Sequence, residues 1–142
     1  MSRPEDFNEK LIAEFRANEG QVTGIFAGRP LLLLTTTGRK SGAPRTMPLV
    51  YSVDGDHLVI IASKGGAPSN PDWYHNLVAN PEVLIELGAE AFDARATVTT
   101  GAERERLYEQ QAATMPAFTE YKQKTTREIP VVVLERVVSR ES

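Results

Sequence analysis

The chain has no cysteine and only two histidines, His57 and His75. Without thiols there is no disulfide, no iron–sulfur cluster and no thiolate nucleophile, and a reducing cytoplasm is compatible. Two histidines without cysteine give no recognisable zinc spacing, so no metal is expected. No apolar run approaches the ~20 residues of a membrane span. The N-terminus is polar and acidic, which does not read as a secretory signal. Acidic residues are missing where they matter most. The net charge is −3, yet no Asp or Glu lies between Glu19 and Asp54, a window that holds Arg29, Arg39, Lys40 and Arg45. A patch of one sign on an acidic protein points to steering of an anionic ligand. The acidic balance argues against a nucleic-acid partner.

What is present fits a single domain: 142 residues, 41% of them hydrophobic and 25% charged. Residues 1–24 read as an N-terminal amphipathic helix and connector, and residues 25–142 as the main body. Its centre is the stretch Leu31 to Leu49, where four leucines run into three threonines and then into Gly38-Arg39-Lys40-Ser41-Gly42. Arg45 follows, before the second apolar segment Pro48-Leu49-Val50-Tyr51. Strand, cationic turn, strand is the simplest reading. Arg39, Lys40 and Arg45 with the Ser41 hydroxyl suit an oxyanion. The alternative is a solvated turn that happens to be basic.

In the first helix Phe7, Leu11, Ile12 and Phe15 recur at helical spacing, a stripe for the domain's own core or for a lid or membrane-surface contact. Strands are expected at Pro30–Thr37, Thr46–Val53 and His57–Ser63, the last two joined by a turn at Asp54-Gly55. A second glycine loop follows, Ser63-Lys64-Gly65-Gly66. Asn70 as cap and Pro71 as first residue open a helix whose buried face would be Trp73, Leu77 and Val78. Val83–Leu87, Phe92–Thr99 and Pro130–Val138 complete six strands. Thr100 to Glu103 reads as a capping box for a long helix, interrupted at Met115-Pro116. Phe118 and Tyr121, three apart, share a helical face. The pattern suggests a small antiparallel barrel, mainly β with peripheral helices. Strands this close in sequence leave no room for the crossovers of a parallel sheet.

No nucleophilic triad assembles, and the glycine-to-lysine spacing is wrong for a Walker loop. Two cationic glycine loops and an aromatic helix suit a phosphorylated aromatic cofactor that brings its own chemistry.

Thr35-Thr36-Thr37-Gly38-Arg39-Lys40-Ser41-Gly42 with Arg45, Pro48 and Leu49 resembles the deazaflavin-dependent nitroreductase family. These are oxidoreductases that use reduced coenzyme F420, many of them quinone reductases. Ala62 to Gly66, Asn70-Pro71, Trp73 to Leu77, Ala79 to Pro81 and Arg127-Ile129-Pro130 extend the match. The resemblance implies a split β-barrel related to FMN-binding oxidases, and hydride transfer from the deazaflavin to a small electrophile such as a quinone. It implies cofactor contacts at Arg39, Lys40, Ser41, Arg45, Thr46, Met47, Pro48, Leu49 and Val50. Further contacts are implied at Ile61, Ala62, Ser63 and Lys64, and at Asp72, Trp73, Tyr74, His75 and Asn76. Met115 and Phe118 fall in the implied acceptor pocket, where relatives carry tyrosines, and Tyr121 is implied as a proton donor or a further residue of that pocket. A greasier pocket disfavours nitroimidazoles. An FMN enzyme of the same barrel and a non-catalytic F420 carrier are the alternatives. The location expected is cytoplasmic, with a peripheral membrane contact through the first helix as an option.

Overall fold

The computed structural model describes residues 4–24, 27–28, 30–63, 70–125 and 128–137, with side chains from residue 8 onward. Helix α1 (Pro4–Ala17) precedes strands β1 (Leu31–Thr37), β2 (Pro44–Val50), β3 (Ser52–Asp54) and β4 (His57–Ile61). Helix α2 (Asp72–Ala79), strands β5 (Glu82–Leu87) and β6 (Glu90–Val98), helices α3 (Gly101–Thr114) and α4 (Ala117–Lys124), and strand β7 (Val131–Arg136) follow.

All described pairings are antiparallel in one seven-stranded sheet of order β2-β1-β5-β6-β7-β4-β3. The two edge strands are chain neighbours with only Tyr51 between them. Two residues span at most about 7 Å, whereas a flat sheet would hold its edges roughly 29 Å apart. The sheet therefore curls until its edges meet, a mainly β split barrel with peripheral helices. This explains the seventh strand. The expected segment Thr46–Val53 breaks at Tyr51, whose N–H donates to the Pro30 carbonyl at 3.1 Å. Pro44 and Pro48 fit in β2 because it is an edge.

Alternation assigns the core. Leu32, Leu34, Ile60, Val83, Ile85, Ala94, Ala96, Val132 and Leu134 fill the inside of the curl, with Trp73 and Leu77 of α2 against them. Leu31 and Leu33 point outward onto Leu11 and Phe15 of α1. Both faces of β1 are thus covered, which is why four consecutive leucines are needed there. On another part of the outer face, Val59, Ile61 and Val131 lie under α3 and α4.

Three local expectations shift. The β3–β4 turn is Gly55-Asp56, since Asp54 pairs with His57, and Gly55 takes φ 62° at the first central position. Helix α2 begins at Asp72 with Pro71, not Asn70, in the cap position. Thr100 caps α3 without a side-chain bond; Gly101 enters that helix at φ 60°, outside capping-box geometry.

Candidate functional site

Residues 38–43 form a closed cationic loop. The Gly38 N–H donates to the Ala43 carbonyl at 2.8 Å and the Gly42 N–H to the Gly38 carbonyl at 2.8 Å. Gly42 holds φ 73°. Gly38 is buried, and a Cβ there would lie 2.8 Å from Ser41 Oγ and 3.1 Å from the Ala43 carbonyl oxygen, so a side chain at 38 would push aside the serine at the turn. Ser41 Oγ accepts the Ala43 N–H at 3.1 Å. Its oxygen therefore braces the loop, and its own proton remains for a ligand. Arg39, Lys40 and Ser41 are exposed at the tip.

Helix α2 is tied to this loop by Asn76, which is 4% exposed. The Arg39 N–H and Nη1 both donate to Asn76 Oδ1, at 3.2 and 3.1 Å. Asn76 Nδ2 donates to Thr36 Oγ1 at 3.2 Å. Asp72 Oδ1 stands 3.7 Å from Arg39 Nη2. Behind the loop the Thr35 and Thr46 hydroxyls meet across the strands at 2.8 Å.

A cleft of about 800 Å³ runs along the free edge of β2, between α1 and α2. Of the residues singled out from sequence, the structure brings Arg39, Lys40, Ser41, Arg45, Thr46, Met47, Asp72, Trp73 and Asn76 onto its wall. Among the described residues no carboxylate lies within ion-pair reach of Lys40 or Arg45. Pro48, Leu49, Val50, Ile61, Ala62, Ser63, Tyr74 and His75 are not on that wall. Lys64 lies outside the described residues, as do Arg29 and Arg127. The face of α2 differs from the one expected. Val78 is 56% exposed, because five residues from Trp73 carry it off the Trp73-Asn76-Leu77 stripe.

The α1 wall was not foreseen from sequence. Asn8, Glu9 and Ile12 line the cleft, and Asn8 Nδ2 sits 3.8 Å from Met47 Sδ. Its signal was the Asn8–Ile12 spacing, one turn along the same stripe. Leu11 and Phe15 are spent on β1.

Met115 and Phe118 do not reach the cleft; they are buried between the α3–α4 corner and the outer face of β4 and β7, with Tyr121 half-buried beside them. Phe118 and Tyr121 stack edge to face at 5.3 Å. Val50, at the end of β2, packs against the same cluster. One strand thus runs from the cations at Arg45 to the aromatic cluster at Val50. Among the described residues there is no group of acids and histidines that could hold a metal, and no helix long and apolar enough to cross a membrane.

A family model described as F420H(2)-dependent quinone reductase matches residues 9–136. An F420H(2)-dependent quinone reductase of Mycobacterium tuberculosis is 42% identical over 128 residues, covering 87% of this chain and 86% of the relative. A solved F420-H2 dependent reductase is 41% identical at a TM-score of 0.69, covering 75% of this chain and 95% of that one. The fold alone is shared with a FAD-binding protein from Mesorhizobium loti, 17% identical over 89% of this chain and 86% of that one, at a TM-score of 0.51.

Proposed function

We propose a binding arrangement from one premise: the chain belongs to the F420H(2)-dependent quinone reductase family. It is a reductase that uses F420H2 as hydride donor towards a small-molecule acceptor. The observation that carries the arrangement is the cleft at the β2 edge, in which, among the described residues, no carboxylate comes within ion-pair distance of Lys40 or Arg45, although Glu9 and Asp72 also line its wall. Cations gathered without counter-charge repel one another until an anion completes them. The coenzyme's tail, a phosphodiester with several carboxylates, is such an anion, so the residues fit the group.

Lys40, Arg45, Arg39 and the Ser41 proton hold the tail in this reading. The edge of β2 from Thr46 to Val50 lies beside the ring in this reading, with Ile61 to Ser63 and Asp72 to His75 as the further contacts that the resemblance implies. Bound there, the reduced deazaflavin supplies the hydride. Met47 and Trp73 exclude water, and the rigid loop fixes placement. A quinone-class acceptor meets the site towards Val50. Of the aromatic cluster, Tyr121 keeps the most surface and is the group placed to hold or deliver a proton, while Met115 and Phe118 shape the pocket from behind. In this reading the protein works in the cytoplasm. Any peripheral membrane contact uses the side of α1 turned away from β1, which sedimentation with lipid vesicles checks.

Fluorescence titration tests the arrangement. Oxidised F420 is expected to bind at least about tenfold more tightly than FMN, roughly 1.4 kcal/mol. Equal affinities would sink it.

A further inference from the structure

We propose that Asn76 is a positioning residue, whose neutral buried amide presets Arg39 for an anion without consuming its charge. The inference rests on the reading of the cleft as the site of the anionic tail.

Two N–H donors of Arg39 converge on one terminal atom of Asn76, so that atom is the amide oxygen. Both of its lone-pair directions are then taken. The amide nitrogen is oriented by Thr36, itself buried. Asn76 therefore has little left for a ligand, although the resemblance implies a cofactor contact there. What it does instead is join three separate pieces: the end of β1, the cationic loop and α2. An arginine side chain has many rotamers to lose, and fixing it beforehand lowers the cost of capturing a ligand. The identity of the residue matters. A carboxylate at this place would hold Arg39 equally well and neutralise it. An amide holds it and leaves the positive charge available. Asp72, at 3.7 Å and largely in water, is too distant for a hydrogen bond and does not substitute for the amide.

The test measures the dissociation constant for oxidised F420 together with backbone hydrogen exchange at Arg39 in the cofactor-free protein. Asn76→Ala is expected to weaken binding about tenfold in the wild type and in Lys40→Ala, but less than about twofold in Arg39→Ala. The same variant should speed exchange at the Arg39 N–H. Asn76→Asp should keep that N–H protected and still weaken binding at least as much as Asn76→Ala, because it adds a charge opposing the anion. Thr36→Val should loosen binding in the same Arg39-dependent way, and Thr36→Ser should restore it; this pair serves if Asn76→Ala does not fold. A full Asn76→Ala effect in the Arg39→Ala background overturns the proposal, as does unchanged exchange at Arg39. If Arg39→Ala, Lys40→Ala and Arg45→Ala all bind F420 normally, the cleft reading fails instead, while the exchange data still judge the Asn76 link.

Discussion

Cations at two places in this molecule are treated in opposite ways. At the α3–α4 corner Arg104 is buried, its Nε donating to the Ile129 carbonyl at 2.9 Å, with Glu128 at 3.1 Å and Glu105 also paired. Lys122 meets Glu109 at 3.2 Å and Glu105 at 3.8 Å. Both cations lie over the Tyr108 ring, at 5.8 and 5.7 Å. Arg106 grips Asp54 through two bonds of 3.0 and 3.1 Å, pinning α3 to the β3–β4 hairpin. In the cleft, Lys40 and Arg45 have no such partners among the described residues, and Arg39 is held by an amide. The residue types are the same; the supply of counter-charge differs. A cation whose partners are protein groups stabilises the fold, and its loss is felt in folding. A cation left without them strains the fold slightly, and its loss is felt in binding.

The largest effect should come from Arg104→Ala. It orphans the Ile129 carbonyl and uncovers Tyr108, at a cost of about 3 kcal/mol in urea denaturation. F420 affinity of the folded variant should not change; a loss of affinity at unchanged stability would break the comparison. Next come Lys40→Ala and Arg45→Ala. Each should weaken F420 binding by roughly 1.5–3 kcal/mol while leaving the melting temperature in place. Added salt should weaken the wild type more than Lys40→Ala. A drop in melting temperature in either variant would assign that cation to the fold.

The α3 corner also holds an exception that sharpens the rule. Gln111 is fully buried, and neither its amide oxygen nor its nitrogen has a partner among the described residues. Gln111→Leu should raise stability by about 1 kcal/mol, read by urea denaturation, since it removes an unpaired polar group from a closed site. The smallest effect is at Asp54. Hydrogen bonding to Arg106 holds its carboxyl below the ordinary value. A lowered native pKa means the contribution is complete above the ordinary range and is lost as pH falls below about 3.9. Stability measured down that acid limb should slope less in Asp54→Asn, and an identical slope would show the pair to be idle.

The sequence made some of this legible and hid the rest for identifiable reasons. The four leucines of β1, the cationic loop and the aromatic helix are local patterns, and each lands close to where periodicity and turn chemistry put it. The break at Tyr51 is not local. It follows from β1 pairing with β5 and β4 with β7, contacts that no short window contains. Asn76 lies outside the buried face of Trp73, Leu77 and Val78 that the spacing predicts. It is buried because Thr36 and Arg39, some forty residues earlier, satisfy its amide. Phe118, which the resemblance implies for the acceptor pocket, is packed by the α3–α4 corner against Val59, Ile61 and Val131. Its shared face with Tyr121 was visible from spacing, but the burial of that face was not.

The place of β7 governs when the site can exist. The cleft walls come from residues 8–76, yet the last strand of the fold sits between β6 and β4 in the middle of the sheet. Until it arrives, β4 and β6 present bare edges, and α2 lacks Val132 and Leu134 in the core beneath it. During synthesis the loop and its cations therefore emerge before the strand that completes the sheet. Completion of the sheet comes after every residue of the cleft wall has been made.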